Sequence, residues 1–72
     1  MLYWNANFQI PNSGVQAKDV YAIATLEDKL IVKFYADIKQ EIFIFEREYD
    51  LISGDPYQYL LSLEEYSNYT RV

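Results

Sequence analysis

The sequence predicts an α+β domain: a small antiparallel sheet, made of a three-strand meander plus an N-terminal strand, with one C-terminal helix packed on one face. Three observations predict it. The stretch "LYWNANFQIP" alternates without a break, with Leu2, Trp4, Ala6, Phe8 and Ile10 on one side and Tyr3, Asn5, Asn7 and Gln9 on the other. Three further apolar runs follow, separated by short polar turns. After them, "GDPYQYLLSLEEY" changes from strand period to helix period. Period two marks a half-buried strand and period 3.6 an amphipathic helix.

The first strand ends at Pro11–Gly14, where four turn residues stand in a row and Gly14 is suited to a positive φ. "VQAKD" continues the connection. Val20–Leu26 is the second strand, with Val20, Ala22, Ala24 and Leu26 on one face and Tyr21, Ile23 and Thr25 on the other. "EDK" turns the chain into "LIVKFYADI", where Lys33 identifies the wet side. "ADIKQ" lacks the Asn-Gly or Asp-Gly of a two-residue hairpin, so a longer turn is expected. In Glu41–Tyr49 the run Ile42–Phe45 is apolar throughout, the pattern of a strand covered on both faces and central in its sheet. Asp55 then reads as an N-cap and Pro56 as the first helical residue. Tyr59, Leu60, Leu63 and Tyr66 form one apolar stripe, and Ser67-Asn68 weaken the helix end. "TRV" reads as a short closing strand.

Seventy-two residues make one domain with a thin core. Chains below about 70–80 residues usually need a staple. Cys and His are both absent, so a disulfide and a structural zinc site are not expected. Eight Tyr, four Phe and one Trp supply bulk instead, and Tyr is also an interface residue. The net charge is −5, and all of the excess lies in residues 40–72. This disfavours direct binding of nucleic acid, which needs a basic surface. No leader pattern and no run of ~20 apolar residues stands out. The expectation is a cytoplasmic protein without a membrane segment.

The residues offer little for catalysis. Acid–base chemistry most often uses His, and Cys nucleophiles are missing. Ser13, Ser53, Ser62 and Ser67 have no imidazole to activate them and sit where turns and caps want Ser. Glu46 and Glu48 share a strand face, and Glu64 and Glu65 sit near the helix end, but such pairs are usually solvated. "EREYD" lacks calcium-loop spacing, and Gly14 and Gly54 are isolated, so no phosphate loop forms. The expectation is no enzyme, no cofactor and no metal. Trp4 is expected in the core. Tyr57, Tyr59, Tyr66 and Tyr69 cannot all face one helix-width core. With Glu64 and Glu65 they make the candidate interaction surface, an acidic-aromatic face bordered by Asp55.

From Val20 onward the chain resembles a family of small bacterial proteins, domain-of-unknown-function family 2442. The residues that carry the resemblance are Val20–Leu26, Leu30–Phe34, Glu41–Phe45, Gly54–Tyr57 and Tyr66–Val72. They match that family's strand, L-x-V-x-F strand, "IFD"-like strand, "G-P-F/Y" helix start and closing "F..VRV". Two departures stand out. The third turn has Asp37-Ile38-Lys39-Gln40 where the family usually has Gly. Family members also continue past "VRV" into a strand resembling "I-x-W-P-N-G", whereas here Trp4, Ile10 and Pro11 hold similar relative places at the start. The resemblance suggests that Leu2–Ile10 replaces that last strand and pairs with Tyr69–Val72. The rival is a plain hairpin with Val20–Leu26. The resemblance carries no catalytic residues and implies an accessory role, often beside toxin–antitoxin-type genes.

The functional expectation is a non-catalytic protein-interaction module, with a protein partner or a second copy bound through the Tyr/Glu face or an exposed sheet edge. An acidic mimic of nucleic acid that inhibits a nucleic-acid-binding protein is the alternative from the charge. A small-molecule binder is a third, and it needs a concavity of roughly 300 Å³ or more.

Overall fold

The computed structural model describes residues 1–9, 14 and 16–72, with side chains described at 1–5, 14 and 18–72. The elements are β1 (Leu2–Gln9), β2 (Gln16–Leu26), β3 (Leu30–Tyr35), β4 (Phe43–Tyr49), α1 (Pro56–Leu61), a 3-10 turn at Glu64–Tyr66, and β5 (Thr70–Arg71). They form the α+β arrangement the periodicity predicts. One antiparallel sheet runs β4-β3-β2-β1-β5, and the single short helix packs on it.

β1 resolves the two alternatives for the opening strand by satisfying both. On one side it pairs with β2, Leu2 opposite Ala22 and Trp4 opposite Val20. On the other it pairs with β5, Leu2 opposite Arg71 and Tyr3 opposite Thr70. The Val72 N–H adds a bond to the Met1 carbonyl at 3.0 Å. A register shift between Asn5 and Phe8 marks a bulge in β1. The expected orientations of Ala6, Phe8 and Ile10, and the turn at Pro11–Ser13, lie outside the described residues. Gly14 takes φ +72°, as its turn position requires.

Three features differ from the sequence reading, besides β4 starting at Phe43 rather than Glu41. β2 starts at Gln16, so Gln16–Asp19 belong to the strand and pair with β1. Register with a neighbouring strand holds these polar residues extended, which local propensity alone does not reveal. β4 is an edge strand rather than a central one. Phe45 faces Phe34 and Phe43 faces Tyr35, so two steps on β4 answer one on β3. That bulge lets consecutive Ile44 and Phe45 both reach the core, while Ile42 and Phe43 remain 51% and 48% exposed. The four-residue apolar run therefore reflects a bulge, not burial on both faces. Lastly, the helical stripe is broken at Ser62, earlier than expected. The Ser62 hydroxyl donates to the Tyr59 carbonyl, and the chain continues as a 3-10 turn.

The core is Leu2, Val20, Ala22, Leu30, Val32, Phe34, Leu60 and Tyr66, with Trp4, Tyr57 and Tyr69 packed against it. Alternation decides which sheet face it occupies: Leu30, Val32 and Phe34 are buried while Lys33 between them is exposed. Asp55 caps α1, accepting from the Tyr57 N–H at 3.0 Å, and Pro56 follows as predicted. Beyond the start of β1, the Ala24 N–H of β2 has no residue of β1 opposite it. The Tyr57 hydroxyl of α1 accepts it at 3.1 Å, so the helix completes the ladder where the strand runs out.

The Asp37–Gln40 turn is irregular, as its composition predicts. The Asp37 carboxylate accepts from the Glu41 and Ile42 N–H groups, the latter at 2.7 Å. Gln40 sits at φ +62°. A side chain there carries a steric cost that glycine avoids. Gln40→Gly should therefore stabilise the fold by about 0.5–1 kcal/mol, and Gln40→Val should destabilise it. Urea unfolding midpoints at constant slope check both.

Candidate interaction surface

The residues of the predicted acidic-aromatic face separate in the structure. Tyr66 is 1% exposed and belongs to the core, which removes it from any surface. Its ring lies 6.2 Å from that of Phe34 and 5.3 Å from that of Tyr69. Tyr69 also meets Trp4 at 5.5 Å, and burial pushes the Tyr69 hydroxyl up to about 12. Tyr57 and Tyr59 pack against the core from α1, and both are partly exposed. Glu64 and Glu65 are exposed, but Glu65 is engaged, accepting from Arg47 at 2.9 Å and from the Tyr49 hydroxyl at 3.1 Å.

These contacts form one chain of hydrogen bonds. A phenol has a single proton to donate. Because Tyr49 gives its proton to Glu65, Tyr66 donates to the Tyr49 oxygen, 2.8 Å away. Burial raises the Tyr66 hydroxyl far above the ordinary tyrosine range, and the Tyr49 hydrogen bond adds to this, so it keeps its proton. The Arg47 guanidinium closes the chain at Glu65 and lies over the rings of Phe34 and Phe45, at 5.7 and 5.3 Å. Nearer the helix start, Arg71 of β5 reaches Asp55 at 2.6 Å and covers the Tyr57 ring at 5.4 Å. That guanidinium bond holds the Asp55 carboxyl below its usual range. The C-terminal tyrosines thus stitch the helix to the sheet.

A different aromatic group faces outward. Residues opposite one another on paired strands share a face. Tyr3 is opposite Tyr21, Tyr21 opposite Tyr35, and Tyr35 opposite Phe43. One row of four aromatics therefore crosses β1, β2, β3 and β4 on the side away from α1. Ring centroids are 5.2 Å apart for Tyr3–Tyr21 and 5.8 Å for Tyr35–Phe43. Tyr3, Tyr21 and Tyr35 are partly exposed, and none packs against the core. At strand spacings near 4.8 Å the row is roughly 14 Å long. Ile23 and Ile31 lie on the same face, with Lys33, Glu46 and Glu48 toward β4. The Tyr3 hydroxyl donates to Asp19 at 2.6 Å, and this bond raises its own titration. Among the described residues no helix or strand covers this face.

The sequence reading missed this row because Tyr3, Tyr21 and Tyr35 each occupy the wet side of an alternation. Three aromatics in wet positions were the available signal. Their alignment depends on register, which one chain's periodicity does not state.

Two shallow grooves flank Tyr59. One, of about 440 Å³, is lined by Lys29, Glu48, Tyr49, Asp50 and Tyr59. The other, of about 360 Å³, is lined by Ser53, Gly54, Asp55, Gln58, Tyr59 and Ser62. Both lie wide open to solvent, unlike the clefts that enclose most of a small ligand's surface. Lys29 and Glu48 approach to 3.9 Å, but each is more than half exposed. No group of three or more Asp or Glu that could hold a metal ion occurs among the described residues. Nor is any helix among them long and apolar enough to cross a membrane.

No family profile, no curated protein and no solved structure matches this chain.

The placement of Tyr66 has a direct test. Tyr66→Ala should cost about 3–5 kcal/mol, as for other large buried aromatics. That is comparable with the whole stability expected of so short a chain, on the order of 4–10 kcal/mol. Tyr66→Phe removes one hydrogen bond and should cost about 0.5–1.5 kcal/mol. Thermal unfolding followed by near-UV circular dichroism separates the two.

Proposed function

We propose that this chain is a non-catalytic protein-interaction module whose binding surface is the open sheet face. The observation that carries the reading is the row Tyr3–Tyr21–Tyr35–Phe43. Aromatic side chains left in water are costly to the free protein and are favoured at interface centres. Their rigidity lowers the entropy lost when a partner orders them. The helix and the 3-10 turn are committed to the opposite face, which leaves this side uncovered among the described residues. We place this role in a cytoplasmic protein.

The nucleic-acid-mimic reading is less well supported. It relies on free, regularly spaced carboxylates in residues 40–72, and Asp55 and Glu65 are both tied to arginines.

A tagged copy should retain one stoichiometric protein from its native host at moderate salt. A Tyr21→Glu/Tyr35→Glu copy, shown to be folded, should lose it. Retention of the same proteins by both copies, or of none by either, overturns the open-face reading. Retention that collapses with modest salt supports the mimic instead.

A further inference from the structure

β4 ends the sheet, and among the described residues no strand lies along its outer side. An unpaired edge presents a row of backbone donors and acceptors that another extended segment completes. Natural sheets usually protect such an edge, and the charges of this one show against what. Residues 41–50 carry Glu41, Glu46, Glu48 and Asp50 against Arg47 alone, a net −3 out of the chain's −5. Much of the acidic excess noted in the sequence therefore falls in and beside the edge strand β4, where Lys33 stands opposite Glu46 and Lys29 reaches Glu48 from the inner side.

Those charges oppose pairing between two copies. A two-fold pairing centred on Glu46, the middle of β4, sets Glu46 against Glu46. Moving the centre to Arg47 sets Arg47 against itself and Glu46 against Glu48. Either arrangement places like charges directly opposite, which destabilises a strand pair. The same pattern favours a basic strand. Glu46 and Glu48 are exposed, share the open face, and lie roughly 6.8 Å apart along the strand. That is the spacing of alternate side chains on a neighbouring strand. At the end of β4, Glu48 and Asp50 line the 440 Å³ groove together with Lys29, which lies 3.9 Å from Glu48 in an exposed pair that an added cationic side chain would have to share. At the start, exposed Phe43 terminates the aromatic row where an added strand would extend it.

We infer that β4 accepts an extended segment of a partner protein that carries lysine or arginine at alternate positions, added as a sixth strand. This rests on the interaction-module reading and names the chemistry of its partner. Backbone bonds to β4 supply binding, and the Glu46/Glu48 pair sets the preference for basic side chains.

The test uses the full chain and two capped octapeptides, one alternating lysine with valine and one alternating glutamate with valine. Fluorescence anisotropy at low salt should show the lysine peptide binding at least tenfold more tightly. In Glu46→Lys/Glu48→Lys the preference should reverse, with circular dichroism confirming that these exposed substitutions leave the fold intact. Amide exchange should slow across residues 43–49 when the lysine peptide is added. Equal binding of the two peptides, binding of neither, or protection confined to β1 and β2 overturns the assignment. So does concentration-dependent protection of residues 43–49 without peptide, which identifies a second copy as the occupant. If the edge fails while Tyr21→Glu/Tyr35→Glu still abolishes partner retention, the open-face reading stands alone. Failure of the open-face reading appears in that tyrosine variant, not in the peptides.

Discussion

The fold depends on the start of β1 being paired on both sides. β2 and β5 hold its first residues, and Leu2 is fully buried between them. This one strand brings the two ends of the chain together and converts a three-strand meander into a five-strand sheet. It also carries Leu2 and Trp4 to the core face and Tyr3 to the open face. Without it, Val20 and Ala22 would lose their cover, and the aromatic row would lose its first member. Close termini are common in compact domains. Here they are a structural element, sealed by the bond from Val72 to Met1 and by Arg71 on the helix cap.

Much of this was legible in the residues. Alternation placed the core face of β3, and the Asp55-Pro56 pair located the start of α1. What periodicity alone did not reveal was relative position. The apolar run Ile42–Phe45 implied a central strand, but a bulge at an edge yields the same residues by sending two successive side chains inward. Gln16–Asp19 looked like connection because nothing local marks them as strand, and their structure comes from pairing with β1. Ser62 broke the helical stripe by bonding its own turn.

The candidate surface moved for a related reason. The expectation that Tyr57, Tyr59, Tyr66 and Tyr69 could not all face one core was wrong, because all four pack against it. The C-terminal tyrosines proved to be mortar between helix and sheet, with the Tyr66–Tyr49–Glu65–Arg47 chain satisfying their polar ends. A second set, partly exposed at Tyr3, Tyr21 and Tyr35 and exposed at Phe43, lies on the other side, assembled from four strands by register. Its outer end coincides with the acidic free edge of β4. Aromatic side chains and carboxylates thus meet at one corner of a small sheet, the corner that the proposed partner segment would use.

The dependence on β1 is tested most directly by native-state amide hydrogen exchange of residues 2–4. A chain terminus ordinarily frays and exchanges within the loop timescale. With Leu2 and Tyr3 paired on both sides and Trp4 paired with Val20, these amides should exchange only through global unfolding, as slowly as those at the centres of β2 and β3. Fast exchange at residues 2–4, with β2 and β3 still protected, would show that the opening strand is an accessory to the sheet and contradict the account.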